Sequence, residues 1–361
     1  MPVETEVLKN LQRADLSICD EADSFLQSGF WGSFKVAFGW EALAFKVVWN
    51  VTSLESDCTE KSLLVLRRPL YPGFALAYIP WGPELPDNFP DKEKAVTELA
   101  ASLKNLLPKD TAFIRFDPPW TITDSNSDTP VRTMPHPFIR SAADIQPPDT
   151  VIVDLSGSME SIKEQMKPKW RYNANLALKK GVKISRAGRE KIGVFYKLLK
   201  ETAARDGISI HGADYYETLF ESDRYSGKTP DSIPDIRLYL AEHEGDTLAG
   251  IVTLFRGREA LYLYGASSNV KRNFMASYAL QLNAMQDARL SGCIDYDLFG
   301  IPPNEDPSHP MAGLYRFKTG FGGRIVHRPG SWDYPCRPIL YRLFRGAEAL
   351  RQTLRSFRKK R

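Results

Sequence analysis

The chain has 361 residues, 43% of them hydrophobic and 25% charged, with a formal net charge of +4. That length exceeds one ordinary core and suits two domains of about 150 to 200 residues, while the balanced composition excludes wholesale disorder. No run reaches the roughly 18 to 20 apolar residues of a membrane span and the opening MPVETEVLKNLQRADL has no signal-peptide core, so the expectation is a cytoplasmic protein.

The first element to read is QSGFWGSFK, where Phe30, Trp31 and Phe34 at i, i+1 and i+4 form a helical apolar face and leave Lys35 outside it. SLLVLRRPL and FALAYIPWGPEL read as strands joined by a Pro-Gly turn, KAVTELAASLKNLL as a helix and AFIRFDPPW as a further strand. Asp117 ends that strand just before Pro118 and Pro119, the position of a turn-capping carboxylate or of a functional one. The segment from Asp124 to Pro148, rich in Pro, Ser and Asp, reads as an exposed connection. From Ser158 to Lys180 helix signals return, with Pro168 opening a second helix and Gly181 ending it.

The order then repeats. IRLYLAEHE and TLAGIVTLFRG flank a turn at Gly245 and Asp246, ALYLYGASS is a strand, FMASYALQLNAMQDARLSG a helix and CIDYDLFGIPP a strand. Tyr78 and Tyr264 stand at matching places in the two halves, as do Asp117 and Asp297. Alternation along LYLY places Tyr262 and Tyr264 on one face, as core phenols or as a substrate wall. The expected fold is mixed α/β in two related domains, residues 1–157 and 158–340, the first completed by an amphipathic cationic helix over 341–361. In that helix Leu350, Leu354 and Phe357 share a face beside Arg351, Arg355 and Arg358.

Charge is distributed unevenly. Residues 163 to 191 hold ten Lys or Arg against two acids, and residues 331 to 361 hold nine against two, so the remainder of the chain is acidic. Two basic clusters on an acidic chain point to a polyanionic partner, whether nucleic acid, phosphorylated lipid or an anionic membrane face. Lys169, Arg171, Lys179 and Lys180, interleaved with Trp170 and Tyr172, are a mixture able to meet phosphates and pack against a ribose or an exposed base. The four cysteines and five histidines show no ligand spacing, so neither a metal site nor a disulfide framework is expected.

Hairpin, strand, helix and strand make the core order of the Gcn5-related acetyltransferase fold. Coenzyme A enzymes of that fold need a glycine-rich turn whose N–H groups cradle pyrophosphate. Here no glycine occurs between Gly265 and Gly292, so coenzyme A is not expected as cofactor. Seven segments in order, FLQSGFWGSFKVAFGW, YIPWGPEL, FIRFDPP, KWRYNANLALKKGV, LYLYGASS, YDLFGI and LYRFKTGFGG, resemble the Fem family of peptidoglycan bridge-forming aminoacyltransferases (FemABX). The long coiled-coil insertion of some family members is missing, since no sustained charged heptads occur.

The resemblance implies transfer of an amino acid from aminoacyl-tRNA to the stem-peptide side-chain amine of a lipid-linked or nucleotide-linked muropeptide precursor. It implies an interdomain groove for the precursor, and aminoacyl-tRNA as co-substrate with no other cofactor. Lys318, in the FK motif, takes the reactive centre, and the basic residues Lys169, Arg171, Lys179 and Lys180 then meet the tRNA. Lys35 and Arg224 meet the precursor's diphosphate, and Asp117 orients the acceptor amine or receives its proton. From the residues themselves, Phe317 and Phe321 read as walls of the reactive centre or as core, and Tyr264 as the better substrate-contacting phenol of its pair. A related aminoacyl-tRNA:protein transferase and a non-enzymatic RNA-binding protein are the rival readings. The terminal helix serves tRNA, an anionic membrane face, or docking on the first domain.

Overall fold

The structure, a computed structural model, describes residues 6–51, 58–122, 132–221, 225 and 232–359, with side chains through residue 350. In chain order the first elements are β1 (Leu8–Ala14), α1 (Gly29–Val36), β2 (Glu41–Asn50), β3 (Cys58–Tyr71), β4 (Phe74–Ile79), α2 (Lys92–Leu106), β5 (Thr111–Phe116) and β6 (Ile139–Arg140). Next come β7 (Asp149–Asp154), α3 (Met159–Gln165), α4 (Pro168–Lys179), β8 (Lys183–Ala187), α5 (Ile192–Asp206), α6 (Ala213–Leu219), β9 (Asp235–His243), β10 (Asp246–Arg256) and β11 (Glu259–Ser267). The chain finishes with α7 (Ala276–Leu290), β12 (Asp295–Asp297), α8 (Ala312–Thr319), β13 (Arg324–His327), β14 (Trp332–Pro335) and α9 (Pro338–Lys359).

Two compact units result: Met1–Trp120 with Arg132–Gln146 and Arg328–Arg361, and Thr121–Val131 with Pro147–His327. Each holds a seven-stranded sheet, ordered β1-β2-β3-β4-β5-β14-β6 in the first and β8-β9-β10-β11-β12-β7-β13 in the second. Position for position the sheets correspond. In each, a parallel pair (β4 with β5, β11 with β12) is joined through a helix (α2, α7), and an antiparallel strand (β14, β7) lies beyond it. The first sheet takes that strand from after the second unit, and the second sheet takes its own from β7. The expected division at residue 158 therefore differs from the start of the second unit at Pro147, because β7 pairs with β12 and β13.

Burial follows the sequence pattern. α2 buries Ala95, Val96, Leu99, Ala100 and Leu103, one face at helical spacing, over a sheet whose central β3 residues Leu63 to Leu66 are fully buried. Each large aliphatic side chain buried there contributes about 2 kcal/mol. In the second unit α7 covers Tyr239, Ala249 and Ile251 on one face of the sheet, and Phe195 of α5 lies against Leu240 and Gly250 on the other.

Anchoring of α9 to the first unit is polar as well as apolar. Arg115 Nε and Nη2 donate to the two carboxylate oxygens of fully buried Asp333 at 2.6 and 2.8 Å, and Tyr341 Oη donates to the same carboxylate at 2.8 Å. The rings of Tyr341 and Phe344 then pack on Phe113. This docking uses a side of the helix different from the Leu350 stripe, and Leu350 itself is exposed. Among the described residues no helix is long and apolar enough to cross a membrane.

Candidate functional site

In the first unit, β4 and β5 run parallel and present Tyr78 and Asp117 at neighbouring strand ends. Asp117 is 3% exposed; one oxygen accepts from Tyr78 Oη, the other from Ser331 Oγ, and the Gln146 N–H lies 3.3 Å away. Burial raises its pKa to about 6, with these hydrogen bonds pulling the other way. At pH 7 such a carboxylate is mostly ionised yet sits close enough to neutrality to take a proton from an amine nucleophile.

Tyr78 also leads to the predicted phosphate lysine. Its ring lies 6.2 Å from Trp40, and Lys35 Nζ lies over Trp31 at 4.9 Å and over Trp40 at 6.0 Å. Lys35 occupies the last turn of α1, whose Ser28 cap accepts from the Trp31 N–H. Burial first, and then the charge of Arg68, lower its pKa to about 8. Arg68 stacks on Trp40 at 5.3 Å, so one indole is shared by an ammonium and a guanidinium. Sequence reasoning passed over Arg68; the signal available was the doubled arginine of β3, where Arg67 closes the buried run that begins at Leu63 and Arg68 is exposed.

In the second unit, Lys318 occupies the last turn of α8, not a glycine loop, and is 6% exposed. Its Nζ donates to the carbonyls of Phe299 at 3.1 Å and Gly300 at 2.8 Å and lies 5.3 Å over the Tyr262 ring. Burial lowers its pKa to about 7, opposed by the Asp297 charge. The two carbonyls converge because Phe299 adopts φ +60°, a turn held by Asp297, which accepts from the Phe299 N–H at 2.7 Å and from Thr150 Oγ1. Gly320, just beyond the helix, has no room for a Cβ: one there would lie 2.0 Å from Trp170 Cε2, and Trp170 Nε1 donates to the Phe317 carbonyl. Phe317 packs with Tyr278 and Phe321.

The expectation that Tyr262 and Tyr264 share a face fails. The ladder between β10 and β11 shifts between Val252 and Thr253, so adjacent residues Val252 and Thr253 pair with Tyr264 and Tyr262, and Leu263 is the extra residue of a bulge. Tyr262 therefore faces Lys318, with its Oη occupying the space over Gly265, where a Cβ would lie 1.7 Å away. Tyr264 faces the opposite side, against Tyr215 and Tyr216 of α6.

Of the predicted tRNA residues, Lys169 and Lys179 are exposed. Arg171 Nη1 instead donates to the carbonyls of Lys163, Glu164 and Met166, satisfying the end of α3. Lys180 lies over Phe274 at 4.5 Å and donates to the Asn273 carbonyl. Arg224 lies outside the described residues.

The FemAB family pattern matches residues 134–228 and 237–349, more than half of the chain. The chain belongs to the FemAB family. It is 26% identical over 253 residues to a lipid II:glycine glycyltransferase of Staphylococcus epidermidis, a match spanning 55% of this chain and 61% of that relative. A lipid II:glycine glycyltransferase of Staphylococcus aureus is 23% identical over 384 residues, spanning 88% of this chain and 89% of the relative. A crystal structure of FemX superposes with a TM-score of 0.73 at 20% identity, covering 92% of this chain and 99% of that one. The expected fold class, mixed α/β in tandem acetyltransferase-like form, holds for this FemAB chain.

Proposed function

We propose that the chain is an aminoacyltransferase of peptidoglycan interpeptide bridge formation, moving an amino acid from aminoacyl-tRNA to the stem-peptide side-chain amine of a lipid-linked precursor. The observation that carries this reading is Lys318, a buried ammonium held by two carbonyls on the family's FK motif. The names of the staphylococcal relatives favour lipid II as acceptor. The acceptor amine attacks the ester carbonyl of the donor, forming the C–N bond of a tetrahedral intermediate; its collapse breaks the ester C–O bond, and the tRNA 3′ oxygen leaves carrying a proton equivalent to the one the amine gives up. Lys318 supplies positive charge to the oxyanion of the tetrahedral intermediate. In the first unit, Asp117 serves as a proton acceptor for an amine. Lys35 and Arg68 take the diphosphate of the acceptor, with Trp40 between them holding both cations.

The basic segment over 163–191 serves the tRNA through exposed residues such as Lys169 and Lys179, with Arg171 acting inside the fold. Incubation with a mixture of charged tRNAs and lipid-linked precursor, followed by mass spectrometry, tests the reading. The expected product is a precursor heavier by one amino-acid residue. Binding of tRNA without any such product favours the RNA-binding alternative, and modification of a protein N-terminus favours the protein transferase.

A further inference from the structure

The outward side of α9 carries a surface that the proposed chemistry leaves unused. While Tyr341 and Phe344 turn onto Phe113, Ile339, Leu343 and Leu350 stand 77%, 66% and 62% exposed. They recur at i, i+4 and i+11, which is one stripe of a helix. Beside the stripe a groove of about 480 Å³ opens between α9 and the β3–β4 hairpin, walled by Leu70, Tyr71 and Leu76 on the hairpin and by Leu340 and Leu343 on the helix.

Charge decides what such a surface meets. Arg337 and Arg342 are exposed beside the stripe, and the sequence from 351 to 361 adds four arginines and two lysines with no acid. Glu348 is the one acid between Arg337 and Lys359 in the sequence; it lines the inner part of the groove, where its Oε2 is buried and its charge acts on Arg115, while the exposed stripe itself carries no acid. Exposed aliphatics flanked by guanidiniums match the boundary of an anionic bilayer, where hydrocarbon enters the acyl region and cations stay at phosphate level. Nucleic acid takes cations and aromatic stacking and gains nothing from three exposed aliphatics. A second copy of the chain would set one cationic stripe against another.

We propose that the Ile339–Leu343–Leu350 stripe and the adjoining groove dock the first unit on an anionic lipid bilayer. The test is sedimentation of the full-length protein with vesicles of mixed phosphatidylglycerol and phosphatidylcholine, and with vesicles of phosphatidylcholine alone. Binding to the anionic vesicles is expected to exceed binding to the neutral ones by about tenfold or more and to weaken with salt. Leu343→Glu combined with Leu350→Glu should cut anionic-vesicle binding by about tenfold or more, and Arg342→Glu by about fivefold or more. All three side chains are exposed, so the variants keep their packing, and an unchanged thermal transition checks this. Equal binding to both vesicle types, or unaltered binding by the double leucine variant, overturns the proposal. Selective loss of tRNA binding by that variant reassigns the surface to RNA, and a dimer that it dissociates reassigns it to a second copy; either result also overturns the proposal.

Discussion

Replacing Lys318 by methionine separates charge from packing at the reactive centre. The fall of its pKa from 10.5 to about 7 sets about 5 kcal/mol against the buried ammonium in the folded state. For a lysine with a depressed folded pKa, that destabilisation is fully present below about pH 7 and is relieved as pH rises toward 10.5. Methionine removes it but leaves the carbonyls of Phe299 and Gly300 unpaired, at about 1 to 3 kcal/mol each, so the two effects nearly cancel and the variant stays folded. Loss of the charge should lower single-turnover transfer by about 10² to 10³ at pH 6. The ratio of wild-type to variant rates, in which titration of the acceptor amine cancels, should then track the ammonium fraction, about nine-tenths at pH 6 and one-tenth at pH 8. The ratio should therefore shrink by about tenfold over that interval. A ratio that stays flat refutes the charge role, and one that grows with pH assigns Lys318 to base catalysis as the neutral amine.

Lys35→Ala should raise the acceptor KM by about tenfold and leave kcat within about twofold, because a diphosphate remote from the carbonyl is held alike in ground and transition states; equal weakening toward a fragment without the diphosphate contradicts the contact. Asp117, with a folded pKa raised to about 6, contributes stability that is present below about pH 4 and lost as pH rises through 6, up to about 3 kcal/mol. Asp117→Asn should flatten this dependence in urea unfolding at acid and neutral pH, and parallel profiles would show the carboxylate to be unperturbed. Acetyl-coenzyme A should give no heat on titration: in the second unit the N–H groups of Ser268, Asn269 and Val270 already donate to Leu248, Glu201 and Ser268 Oγ, and in the first Asp91 places a carboxylate at the start of α2. Micromolar binding would revive an acetyltransferase reading.

Elements with strong periodicity were legible without the structure. The β3–β4 hairpin, α2 and β5 and their counterparts β10, β11, α7 and β12, with β9 beside them, alternate or repeat clearly enough to reveal the duplication. β1 was not, because its burial rises only at Leu8, Leu11 and Ala14, as suits an edge strand. Four-residue β14 has no period to read, and its place beside β5 depends on pairing across more than two hundred positions. The same separation hid Ser331 from Asp117. At Lys318 the residue type was readable and the setting was not: two carbonyls aimed by a left-handed Phe299 leave no trace in FKTGF. The bulge at Leu263 is the sharpest case, since an unbroken alternation of leucine and tyrosine gives no hint that one ladder position is doubled.

The borrowed sixth strand has a consequence for biosynthesis. A ribosome delivers β14 only after the whole second unit has emerged, so the sheet built around β5 waits with an open edge while the sheet built around β12 can already close with β7. Until Asp333 arrives, closing the unit over the Arg115 guanidinium would cost about 3 to 5 kcal/mol for a buried cation without its counter-ion, so that guanidinium stays in water. The second unit is thus the one that matures first on the ribosome, and a nascent chain stalled before Ser331 presents proteases and chaperones with an unfinished first unit whose Asp117 lacks one of its two hydroxyl donors.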